Sequence, residues 1–248
     1  MFRSSNPAMR AVRADEAVAD SDRAGYSRIA AKGIFFAVIT LVSALSVLFL
    51  LNIPSLLNFF VVFLIVSVIG ALICGFVAVL IPSATKIFGT LYCVFEGFML
   101  GFISLVVETV LPGVVAPALI ATILVFLIMG IIYVTGLVKV TQKFMKVFFA
   151  VFFAVMLTYF ILWIISLFSG AMAAMFFGNT VLSLIVCVVM VILAAVMLLL
   201  DFERIRQTVE GGMHKKYEWV AAFGLIVTLI WLYVEMLRLF MILASRRR

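Results

Sequence analysis

The sequence predicts an all-α membrane protein of seven transmembrane helices. Three observations carry that reading. Apolar runs of about 19 to 26 residues fill nearly all of the chain after Lys32, long enough to cross a ~30 Å hydrocarbon layer. The chain is 67% hydrophobic and 12% charged, against roughly 45–50% and 25% in a soluble domain. Against 11 Asp and Glu, its 18 Lys and Arg give a formal charge of +7, and all of them but Arg238 collect in the tails and in alternate loops.

Bounded by Pro, Gly or charge, the runs place helices near 34–52, 56–81, 88–110, 114–137, 147–169, 180–201 and 219–243. Residues 1–32 form a polar tail of mixed charge without an apolar core before the first span, so they do not read as a cleavable signal peptide. Residues 246–248 form a basic end. Arg3, Arg10, Arg13, Arg23, Arg28 and Lys32 in the tail, Lys86, then Lys139, Lys143 and Lys146, then Arg204, Arg206, Lys215 and Lys216 mark the cytoplasmic faces. The intervening loops, 52–55, 111–113 and 169–179, hold no Lys or Arg. The expected orientation is therefore N-terminus cytoplasmic. Arg246, Arg247 and Arg248 would then lie outside; a re-entrant final segment would remove that conflict, but 219–243 is long enough for a full span. A heptahelical receptor would need the opposite orientation, and a retinal pump a lysine in the last helix.

Composition excludes much else. No aromatic-studded basic groove supports nucleic acid as a partner, and lipid headgroups account for the positive charge better. Cys74, Cys93 and Cys187 lie in apolar segments, where cysteine behaves as a small hydrophobe. His214 is the single histidine and sits in a loop beside Lys215 and Lys216, without companions for a metal or a triad. No catalytic motif is present, and the chain is not expected to be an enzyme. Secondary transport is the weaker reading, because paired broken helices and an inverted repeat are missing.

Function should reside in charges at membrane depth, which cost roughly 2.5–3.5 kcal/mol each at mid-bilayer. Glu96 lies about nine residues into the third helix, roughly 13 Å deep. Desolvation there favours the protonated form, which suits a proton sensor; a neutral Glu bonding a neighbouring helix is the plainer alternative. The following Gly97-Phe-Met-Leu-Gly101 is a small-xxx-small face for close helix approach. Asp201 is expected to end the sixth helix at its cytoplasmic mouth, either as a functional carboxylate or simply paired with Arg204 or Arg206. Glu203 and Glu210 fit the pairing role better. Glu235 and Arg238, three apart on one face, can neutralise each other; Glu235 lies about 24 Å along the seventh helix and Thr228 near its middle on the same stripe. Glu108 could join that outer cluster or simply face water.

Several stretches, in this order and spacing, carry a resemblance. They are Arg3-Ser-Ser-Asn-Pro7, Tyr92-Cys-Val-Phe-Glu96-Gly97-Phe-Met-Leu-Gly101, Leu200-Asp201-Phe202, and Glu218-Trp219-Val-Ala-Ala-Phe-Gly224 running on to Trp231-Leu-Tyr-Val-Glu235-Met-Leu-Arg238. Together they resemble the Bax inhibitor / YccA-like membrane family, specifically its bacterial branch, over nearly the whole chain. The resemblance implies six helices wrapped around a central seventh, a multi-pass protein of the bacterial plasma (inner) membrane, and a pH-sensitive calcium leak channel. In such relatives a carboxylate ending helix six pairs with one on helix seven, and protonation shifts the closed and open states. Asp201 matches the first partner. The second falls at Thr228, counting from the Leu-Arg-Leu-Phe run at 237–240, so a hydroxyl replaces a carboxylate and the coupling of two titrating groups is lost. Glu96 or Glu235 is expected to compensate. The implied pathway residues are thus Asp201, Glu96, Thr228, Glu235 and Arg238, with calcium or protons as the permeant partners. No cofactor is implied; calcium would bind only transiently at Asp201, since a firm site needs six to eight oxygens. The alternative is a regulator of a membrane-anchored ATP-dependent protease, with the N-terminal tail as its handle.

Overall fold

The computed structural model describes residues 23–50, 60–138, 140–168, 178 and 180–246. Seven helices follow one another: α1 Tyr26–Leu50, α2 Phe60–Leu80, α3 Thr85–Val110, α4 Val115–Val134, α5 Gln142–Phe168, α6 Val181–Glu210 and α7 Tyr217–Ser245. All seven are long and apolar enough to cross a membrane. Loops 52–55 and most of 169–179, Lys139, residues 1–22 and Arg247–Arg248 lie outside the described residues.

Three bounds differ from the sequence expectation by five residues or more, each for a local reason. α1 begins at Tyr26 rather than near 34, because Arg28 and Lys32, one turn apart, both reach Glu218 at the start of α7. The last part of the polar tail is therefore helical. α5 begins at Gln142, with Thr141 Oγ1 accepting from Phe144 N at 3.1 Å as a cap. α6 does not end at Asp201 but runs on to Glu210. Beyond the apolar run, Arg206 bonds Glu203 and Glu210 one turn to either side at 2.7 and 2.9 Å. Such pairs sustain helix in water, and the helix stops only at Gly211 and Gly212, the latter at φ 62°.

α7 is the axis of the bundle: half of it is buried, against a third or less of any other span, and it packs on α1, α2, α3, α4 and α6. It is a single unbroken helix, long and apolar enough for a full span. Its first half shares a core with α1 and α3 built on Phe36, Cys93, Phe223 and Ile226; its second half shares another with α4 and α6 built on Leu198, Leu232 and Leu237. Because lipid is as apolar as these side chains, close fit rather than water exclusion holds them. Gly97 and Gly101 show what that fit requires. They lie against α1, where a Cβ added to Gly97 would come within 2.5 Å of the Thr40 carbonyl oxygen and one added to Gly101 would strike the Ala44 backbone. α5 stands apart and reaches α6 and α7 through rings: Phe148 packs near Met190 and Leu193, and Phe152 meets Trp231 edge-on at 5.7 Å.

Candidate functional site: carboxylates on the central helix and its neighbours

Asp201 lies on the α7-facing side of α6, where an added Cβ on Gly224 would be only 3.7 Å from its Oδ1. One turn on, Thr228 Oγ1 donates to Asp201 Oδ2 at 2.5 Å, and both residues are buried, at 5% and 2% exposure. Arg204 Nη1 stands 3.4 Å from Oδ1, and its guanidinium is half exposed over the Phe149 ring. The carboxylate thus joins α6 to α7 through a hydroxyl and faces a cation on its outer side. The structure brings Asp201 and Thr228 together, and Asp201 pairs with Arg204 as well.

Glu203 and Glu210 both pair with Arg206, the role their spacing suggested. Glu203 is nevertheless buried, accepting from Arg206, from Gln207 at 2.9 Å and from the Tyr133 hydroxyl of α4 at 2.8 Å. Glu108 turns back to the α3–α4 turn, accepting from Gly113 N at 2.7 Å and Val115 N at 3.3 Å. Those bonds satisfy free backbone donors at the start of α4, so Glu108 does not join the Glu235 cluster.

Glu235 and Arg238 do share a face, with the nearest N–O distance 3.9 Å. Trp231 Nε1 donates to Glu235 Oε1 at 3.3 Å, while the buried Oε2 has no hydrogen-bond partner. Arg238 Nη1 donates to the Tyr159 hydroxyl of α5 at 2.7 Å and lies over its ring. Glu96 points elsewhere. It borders a groove whose other lining residues all come from α2 and α3, and among the described residues nothing donates a hydrogen bond to it. Its neighbours Cys93, Gly97 and Leu100 take the buried face toward α1 and α7. The structure therefore does not place Glu96 beside Asp201 and Thr228, and the expected compensation from α3 has no contact to act through. Nor does Glu235, two turns beyond Thr228, touch Asp201.

Glu218 is the site residue that the sequence reading passed over. Only 1% exposed at the first turn of α7, it accepts from Gly25 N at 2.9 Å, Arg28 Nε at 2.7 Å and Lys32 Nζ. Lys32 and Lys86 both lie over the adjacent Trp219 ring. Ala24 N donates to Met213 O at 2.8 Å, and Arg23 bridges to His214. The clue was present as Arg28 and Lys32 four apart ahead of the first apolar run, matched to a carboxylate at a helix start, where the backbone also favours negative charge.

Among the described residues no group of three His, Cys, Asp or Glu converges to hold a metal ion. What surrounds Asp201 is a hydroxyl and a guanidinium, and the latter competes with any cation for the carboxylate.

A central helix pinned by buried carboxylates and wrapped by other apolar helices defines a multi-pass membrane protein. The comparison with known families is specific: the family model described as Bax inhibitor 1 like matches residues 6–245. The chain belongs to that family. The comparison with curated proteins gave no match.

Proposed function

We propose that the protein is a pH-sensitive cation leak, for calcium first, in a bacterial plasma membrane, with its basic end in the cytoplasm. The observation that carries the reading is the buried hydrogen bond from Thr228 to Asp201, which ties the central helix to α6. Ionised, Asp201 accepts from Thr228 and attracts Arg204. Protonation cancels the ion pair and makes the carboxyl a donor, so the tie between α6 and α7 is rewritten by a single proton. Calcium is cargo on this reading; it meets one carboxylate, hydroxyls and water in passing rather than a closed cage.

Because a threonine does not titrate in this range, the gate should follow one ionisation rather than the two steps of a coupled pair. The test is calcium flux into proteoliposomes of the purified protein between about pH 6 and 8, native chain against Asp201→Asn. A pH-dependent flux that loses its pH dependence in the variant supports the proposal. No flux above empty liposomes at any pH overturns it and moves the second reading, regulation of a membrane-anchored ATP-dependent protease, to first place. That reading draws on the strap at residues 23–25, through which a partner holding the N-terminal tail would pull on the α6–α7 turn. Deleting residues 1–22, which leaves the strap itself, tests it.

A further inference from the structure

The groove beside Glu96 has a size and a chemistry that the leak mechanism does not use. It has a volume of about 540 Å³ and runs between α2 and α3, walled by Val68, Leu72, Phe76, Tyr92 and Met99 around the one carboxyl. Sites for small molecules occupy roughly 300–1,000 Å³ and pair apolar walls with few polar groups. The groove opens sideways to lipid, since Leu72 and Phe76 are about 70% exposed. Gly75 lets the Tyr92 ring lie against α2 at the groove, since a Cβ there would come within 3.1 Å of that ring.

Glu96 is the twelfth residue of the 26-residue α3, so at 1.5 Å per residue it sits roughly 16 Å from the helix start, near mid-membrane. Lipid tails can fill the groove but leave the carboxyl without a donor, which is costly in hydrocarbon. A second copy of the chain has no cation to offer, because among the described residues no Lys or Arg is exposed to lipid at that depth. A fatty acid would bring a second carboxyl. An amine brings donors and the opposite charge together, and the pair it makes is neutral as a whole.

We propose that the α2–α3 groove binds a membrane-dissolved apolar amine, an alkyl or arylalkyl chain with one amino group, with Glu96 holding the amine. The assignment is independent of the leak reading and survives its failure.

The probe is an alkylamine carrying a photoactivatable diazirine on its chain, irradiated with the full-length protein in phosphatidylcholine nanodiscs and mapped by peptide mass spectrometry. Labelling is expected on residues 68–79 and 92–99, competed by dodecylamine roughly tenfold more effectively than by dodecanol, as befits a charge-assisted bond. Glu96→Gln should lower that labelling by a similar factor. Should this variant fail to fold, Val68→Phe fills the groove from a lipid-facing position, keeps the carboxyl, and should abolish labelling equally. Labelling spread over all lipid-facing helices, equal competition by the alcohol, or labelling indifferent to both variants would each overturn the site.

Discussion

The basic end of the bundle and its interior treat carboxylates in opposite ways. At the basic end every buried carboxylate among the described residues has partners: Glu218 has Gly25, Arg28 and Lys32, Glu203 has Arg206, Gln207 and Tyr133, and Asp201 has Thr228 and Arg204. In the interior, Glu235 keeps one oxygen without a hydrogen bond and Glu96 faces a lipid-side groove. Both arrangements place acidic groups where hydration is poor, yet the first is offset far more fully within the chain than the second, where Glu235 has one bond from Trp231 and a long pairing with Arg238. Carboxylates of the first kind should hold the fold together, and those of the second should be dispensable for folding. Asp201 lies between them, fully bonded but through a neutral hydroxyl and a half-exposed cation.

Glu218→Ala should give the largest effect. Removing one partner of a buried ion cluster costs about 3–5 kcal/mol; the half-exposed Arg28 can rehydrate, so about 2–3 kcal/mol is expected here. A thermal shift in detergent or a lowered midpoint of SDS unfolding would show it, and a loss below about 0.5 kcal/mol would make the cluster ornamental.

Thr228→Val should come next. It strips Asp201 of its hydroxyl donor inside the bundle, at a cost of about 1–3 kcal/mol, read in the same unfolding assay. Thr228→Asp sharpens the same point in function. Two adjacent carboxyls titrate as a pair, so the flux profile should broaden from one step to two; an unchanged profile would detach gating from this contact.

Glu235→Gln should cost about 1 kcal/mol: the amide oxygen still accepts from Trp231, and what is lost is the long 3.9 Å pairing with Arg238, which keeps its bond to Tyr159. Smallest of all, Glu96→Gln should leave the unfolding midpoint within about 0.5 kcal/mol of the native chain. A large loss there would mean that Glu96 belongs with the first group after all.

Much of this was legible in the sequence because lipid imposes a simple rule: the number of apolar runs is the number of spans. Bounds were less legible where water takes over. Nothing in hydropathy says that α6 continues nine residues past Asp201, since that stretch is held by charge pairs one turn apart. The approximate depth of Glu96 followed from counting, but its direction did not. A helix in the middle of a bundle has neighbours on several sides, and the small residues Cys93, Gly97 and Gly101 decided which side faces α1 and α7. The contact of Thr228 with Asp201 was anticipated through the family resemblance, whereas Glu218 was missed because its partners sit almost two hundred residues earlier in the chain.

That separation has a consequence in time. Gly25 N and Glu218 are 193 positions apart, and synthesis delivers α1 first and α7 last. Until α7 arrives, Arg28 and Lys32 lack Glu218, and the other helices lack the element on which most of them pack. Closure of the strap is therefore among the last events of assembly, and contacts so distant in sequence form slowly. A chain truncated before residue 217 would keep six spans and still lack both the axis and the latch.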